Sequence, residues 1–160
     1  VATDWLIMII HDLLTSDSVI APLKANGKKQ ALQEIAQRAA AITGLPEREV
    51  FETLLQRERL GSTGIGEGIA IPHGRSPSLT RLRGLFVRME KPIDFEALDG
   101  QPVDIMFVLL APEGAGADHL KALARVARVL RDRATLDSIR RADDADAIYA
   151  ILTERAAQAA

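Results

Sequence analysis

The sequence predicts an α/β sandwich, a single domain in which helices pack on a central β-sheet. Three observations point there: helical periodicity at both ends of the chain, aliphatic and β-branched runs in the middle, and a glycine-rich stretch of short extended segments. Helices at both ends around central strands make a layered α/β fold rather than a bundle or an all-β sandwich. At 160 residues the chain is one domain's worth, long enough to bury a core.

The chain opens on an apolar run, Trp5-Leu6-Ile7-Met8-Ile9-Ile10. It is too short to span a bilayer and lacks the preceding basic residues of a signal peptide. Met8 reads as the natural start, residues 1–7 as a non-native or disordered extension, and residues 8–156 as the functional domain. After a short turn at 12–14, residues 28–43 carry Leu32, Ile35, Ala36, Ala39 and Ile42 at helical spacing. Gly44 stands where a C-terminal cap belongs. Pro46 is expected at the first position of a second helix, with Glu47 and Glu49 in its first turn. Val50, Leu54 and Leu55 form its inner face, and it should end near Leu60-Gly61.

From 61 to 77 the glycines at 61, 64, 66, 68 and 74, with Pro72 and Pro77, leave room for loop and short strand but not helix. Strands are expected at 85–89 and 103–110. The second is nearly all apolar, as a central strand covered on both faces is. Residues 91–102 read as a loop with a turn at Asp99-Gly100. A helix over 118–132 follows, with Leu120, Leu123, Ala127 and Leu130 as its apolar stripe. Lys121, Arg125, Arg128 and Arg131 make a basic stripe, most simply a solvated face. Helices at 134–140 and 144–156 close the chain. Strand order does not follow from the sequence.

A net charge of −2 gives no general attraction to nucleic acid or to an anionic membrane surface, and neither is expected as a partner. The absence of cysteine excludes thiol catalysis, disulfides and thiolate metal sites, and fits a cytoplasmic location.

The chain has three histidines, His11, His73 and His119. A neutral imidazole near pH 7 keeps one ring nitrogen free as a nucleophile, and the phosphoramidate it forms is labile enough to pass a phosphoryl group on. His73 lies in Gly68-Ile69-Ala70-Ile71-Pro72-His73-Gly74. There Pro72 fixes its own backbone and holds Ile71 extended, and Gly74 would let a second chain approach. The glycine-rich approach can aim backbone N–H groups at an anion. Ser62, Thr63, Gly64 and Gly74 are accordingly expected to form a phosphate-binding loop, with Arg57 or Arg59 supplying a guanidinium. His11 reads as structural or surface. The glycines of Gly64-Ile65-Gly66-Glu67-Gly68 do not open a helix, which rejects a dinucleotide fingerprint. Two histidines without HExxH or a carboxylate partner give no metal site, and no cofactor is expected.

The segment from Glu58 to Gly74 resembles the phosphorylation-site signature of the mannitol/fructose-type enzyme IIA family of the bacterial phosphotransferase system. An acidic residue stands fifteen positions before the histidine, followed by Ile65-Gly66 and then Ile69-Ala70-Ile71-Pro72-His73-Gly74. The likeness continues through Phe95-Glu96-Ala97-Leu98-Asp99-Gly100-Gln101-Pro102-Val103, then Leu109-Leu110-Ala111-Pro112-Glu113, then His119-Leu120. The Gly61–Gly66 run, the opening Asp12-Leu13-Leu14 and the lack of an attached permease or second carrier domain resemble the nitrogen-regulatory branch.

The resemblance implies a mixed β-sheet flanked by helices. It implies His73 as the phosphorylated nucleophile, His119 as a second histidine that hydrogen-bonds the phosphoryl group, and Arg57 as an arginine near the site. It further implies a histidine-containing phosphocarrier protein as donor, and targets such as potassium-transport regulators or sensor kinases that respond to phosphorylation state. Two alternatives stay open: a sugar-specific enzyme IIA that passes phosphate to a transporter component, and a binding-only regulatory module.

Overall fold

The computed structural model describes residue 10 and residues 13–158, with side chains to residue 154. Residues 1–9, His11 and Asp12, the first residue of the expected 12–14 turn, lie outside the described residues. A 3-10 turn, Ser16–Ser18, leads into β1 (Val19–Leu23). Then come α1 (Lys28–Thr43), α2 (Glu47–Arg59), β2 (Gly64–Gly66), β3 (Ile69–Ala70), β4 (His73–Ser76), β5 (Arg83–Ile93) and β6 (Val103–Pro112). A second 3-10 turn, Glu113–Ala115, precedes α3 (Gly116–Leu130), α4 (Arg133–Arg141) and α5 (Ala145–Gln158).

The sheet runs β1-β5-β6-β3-β2, with β4 also paired to β6. It is mixed: β1 is parallel to β5, β3 and β4 are parallel to β6, and β5 is antiparallel to β6. Strand periodicity sorts the core onto two faces. On β6, Met106, Val108 and Leu110 pack with Leu32, Ile35 and Leu54 of α1 and α2. Ile105, Phe107 and Leu109 point the other way, to Val126, Leu136 and Ile148 of α3, α4 and α5. Two-sided burial explains why β6 reads as an unbroken apolar run.

The first helix has the expected bounds, and Gly44 caps it in the left-handed conformation at φ 78°, its N–H donating to the Ala40 carbonyl. Pro46 corrects the expectation for α2. It sits at the N-cap, and its carbonyl accepts from the Val50 N–H at 3.2 Å. β5 extends through Lys91, Pro92 and Ile93, which were expected in a loop. Pairing with β1 ends at Met89, and the register with β6 shifts between Arg88 and Ile93, so Pro92 falls where no regular ladder needs its missing N–H.

β1 was not expected, because Pro22 interrupts its pattern. The strand lies at the sheet edge, where proline is tolerated. The largest correction concerns α3, whose buried face is His119, Ala122, Val126, Val129 and Leu130. Leu120, expected in the stripe, is 64% exposed, while Leu123 and Ala127 are only partly buried. Small Ala and Val residues carry this contact, so the leucines mislead about the helix's rotation.

Candidate functional site

Pro72 decides where the site forms. Along one edge of β6, β3 pairs at Ile105 and Met106, and β4 resumes the parallel ladder with His73 opposite Leu109. Proline has no N–H for the ladder, so the pairing breaks between the two strands and Ile71 falls in the gap. The Ile71 carbonyl takes a hydrogen bond from His73 Nδ1 at 2.8 Å. A carbonyl can only accept, so Nδ1 carries the proton and the lone pair is on Nε2. Arg57 Nε, which can only donate, lies 3.3 Å from Nε2, consistent with that tautomer. Arg57 is itself tethered by Nη1 to the Gly61 carbonyl at 2.9 Å.

His119 comes from the opposite side, in the first turn of α3. Its ring centroid is 5.6 Å from that of His73, the planes meeting edge-on at 74°. Arg75, two residues along β4 from His73 and so on the same side of the strand, donates from Nε to His119 Nδ1 at 3.3 Å. His119 Nε2 is buried and has no hydrogen-bond partner among the described residues. The two rings open onto a cleft of about 550 Å³ lined by Thr53, Arg57, Leu60, Gly74, Arg75 and Leu120.

Burial lowers the His73 pKa from its ordinary value; the bond to Ile71 opposes this and Arg57 lowers it further. The His119 pKa falls to about 4, first through burial and then through His73 and Arg75. Both rings are therefore neutral at pH 7.

The structure brings together His73, His119, Arg57 and Gly74 of the expected site residues. It does not bring Ser62, Thr63 or Gly64 to the cleft, which corrects the expected phosphate loop. The Ser62 hydroxyl donates to the Phe95 carbonyl at 2.6 Å and accepts from the Gly64 N–H at 3.0 Å. Thr63 gives both its N–H (3.1 Å) and its hydroxyl to the buried carboxylate of Glu58. That carboxylate also pairs with Lys28 Nζ at 3.0 Å. Lys28 in turn lies 4.7 Å over the Phe95 ring.

The loop donors thus brace the turn after α2. Arg59 points elsewhere, lining a separate depression with Lys29 and Glu96. Gly74 does not leave space for an incoming chain: a Cβ there would collide with Thr53 Cγ2 of α2. Arg75 was missed by the sequence reading, although strand alternation from His73 points to it. Among the described residues no group of three or more His, Asp or Glu is placed to hold a metal, and no helix is long and apolar enough to cross a membrane.

The family model described as "Phosphoenolpyruvate-dependent sugar phosphotransferase system, EIIA 2" matches residues 12–155. The chain belongs to this family, and a phosphocarrier role in the phosphotransferase system goes with that membership. Within the family its likeness is to the nitrogen regulatory proteins. The one from Bradyrhizobium diazoefficiens is 58% identical over 153 residues, covering 96% of this chain and all of that protein. The Escherichia coli nitrogen regulatory protein is 41% identical, covering 91% of this chain and 90% of its own length. The crystal structure of nitrogen regulatory protein IIA-Ntr from Neisseria meningitidis matches with a TM-score of 0.85 at 35% identity, over 90% of this chain and 99% of that one. At 18% identity and a TM-score of 0.74, the mannitol IIA of E. coli shares the fold, over 87% of this chain and 98% of its own.

Proposed function

We propose that the chain accepts a phosphoryl group on His73 Nε2 from the phosphohistidine of a small histidine-containing carrier protein, in the cytoplasm, and that partner proteins respond to its phosphorylation state. The observation that carries this reading is the His73 Nδ1–Ile71 hydrogen bond, which puts the ring's lone pair on Nε2, where Arg57 Nε meets it at 3.3 Å beside the cleft. In the transfer, the donor's N–P bond breaks as the His73 Nε2–P bond forms, and the donor nitrogen recovers its electron pair. No proton has to move, since Nδ1–H stays on Ile71 throughout.

A lone pair serves one partner at a time, so Arg57 Nε must leave Nε2 as phosphorus arrives. Its Nη1 tether to Gly61 keeps the guanidinium at hand to meet an equatorial oxygen. The unpartnered Nε2–H of His119 provides a second donor for the same group. In this reading Ser62, Thr63 and Gly64 hold the turn that positions Arg57, and Gly74 lets β4 lie against α2. The likeness to nitrogen regulatory proteins favours regulation over delivery of phosphate to a sugar transporter. Potassium-transport regulators and sensor kinases are the target classes we would test first.

Incubation with a phosphorylated histidine carrier, followed by intact-mass spectrometry, tests the proposal. Wild type should gain one HPO₃ and His73→Ala none, with unchanged circular dichroism. His119→Ala should label more slowly or lose the group faster. Absence of the adduct on wild type would leave only a binding role.

A further inference from the structure

The nitrogen of His119 that carries the proton depends on what faces the ring. Two side chains of β4 do, Arg75 and His73, and the ring also lines the cleft. An arginine Nε–H donates and has no lone pair to offer, so its 3.3 Å contact holds His119 Nδ1 as an acceptor. In a neutral ring the remaining proton is then on Nε2, the atom that is buried without a partner. Buried N–H groups with no acceptor are rare, and with the His73 ring centroid only 5.6 Å away an anion carried on that ring could complete this one. Arg75 itself is exposed, at the rim of the cleft, so its role toward His119 is not one of core packing.

We propose that Arg75 is a positioning residue: it fixes the rotation and the Nε2–H tautomer of His119, so that this one proton is held ready for an oxygen of a phosphoryl group on His73. The two arginines act oppositely on the two rings. Arg57 lies on an Nε2 that has a lone pair to use; Arg75 lies on an Nδ1 so that Nε2 has a proton to give. The assignment rests on the phosphocarrier reading of His73. It adds that the chemistry at position 75, donor or acceptor, is what matters there.

The test is a series at position 75 in the full chain. Arg75→Lys keeps a donor and should keep the rate of phosphoryl acceptance within about threefold, since a single hydrogen bond is retained. Arg75→Glu puts an acceptor against Nδ1 and should draw the proton there. It should slow acceptance by about tenfold or more, on the scale of losing one charge-stabilising donor. Nitrogen-15 NMR of the unphosphorylated protein reads the tautomer directly: Nε2–H in wild type and Arg75→Lys, a protonated Nδ1 in Arg75→Glu. Equal rates in Lys and Glu variants, or an unchanged tautomer in Arg75→Glu, would overturn the assignment. If wild type takes no phosphoryl group, the carrier reading fails instead, and the NMR series still decides what Arg75 does to the ring.

Discussion

An imidazole in water can hold its proton on either nitrogen, but neither ring in this cleft has that freedom. Ile71 and Arg57 settle it for His73, Arg75 for His119. At the same scale sits Glu58, the acidic residue fifteen positions before His73. Its carboxylate is buried between Lys28 and the two donors of Thr63. Glu58→Gln leaves Lys28 without its anion and sets an amide donor against Thr63. It should cost about 3 kcal/mol, the scale of breaking one side of a buried pair, measured by urea unfolding. Glu58→Gln should cost less in a Lys28→Met background than in wild type, because no unpaired ammonium is then left beside the amide. His73 was legible in the sequence because Ile-Pro-His-Gly prescribes a strand break, and the ring that follows it is half-buried at the cleft. Ser62 and Thr63 were misread because hydroxyls beside a nucleophile look like phosphate donors. Only the folded chain shows that Glu58 and Phe95 already hold them.

At the scale of elements, legibility followed local chemistry. α1 could be bounded because its apolar spacing and its Gly44 cap agree, and that cap gives a clean test. A Cβ at Gly44 meets nothing within 4 Å, so Gly44→Ala should cost about 1 kcal/mol purely for the left-handed conformation at φ 78°, read from the thermal midpoint. β1 was hidden by Pro22, and the rotation of α3 by Leu120, because edge pairing and helix orientation are set by partners distant in sequence. The contact between β4 and α2 is likewise invisible in sequence. Gly74→Ala drives a methyl into Thr53 and against its carbonyl at 3.3 Å. It should destabilise by about 1–3 kcal/mol, as overpacking does, and separate Arg57 from His73. Thr53→Ser removes Cγ2, so the double variant should recover part of both the unfolding midpoint and the labelling rate. Additive losses would mean the two positions do not meet.

Across the whole molecule, the cleft exists only because three layers converge. His73 lies on the sheet edge, Arg57 comes from the helices on one face, and His119 from those on the other. Closing those layers removes both rings from water in their neutral form, which couples the site to global stability. In the unfolded chain each ring titrates near its ordinary 6.5; folded, His119 falls to about 4 and His73 also lies below 6.5. Between those limits the unfolded state binds more protons, so stability rises with pH. The contribution is complete above about pH 6.5 and is lost as the pH falls toward 4, each ring adding at most about 1.4 kcal/mol per pH unit. His119→Gln should therefore flatten the acid limb of a plot of urea midpoint against pH, between 6.5 and 4, relative to wild type. Carboxylates titrate in both proteins, so the difference between the curves isolates the ring. A phosphoryl group on His73 would place an anion against the His119 Nε2–H, favour the imidazolium and raise its pKa. Proton NMR titration of the phosphorylated chain should show that upward shift, and a His119 signal that still titrates near 4 would mean the phosphoryl group does not reach its proton.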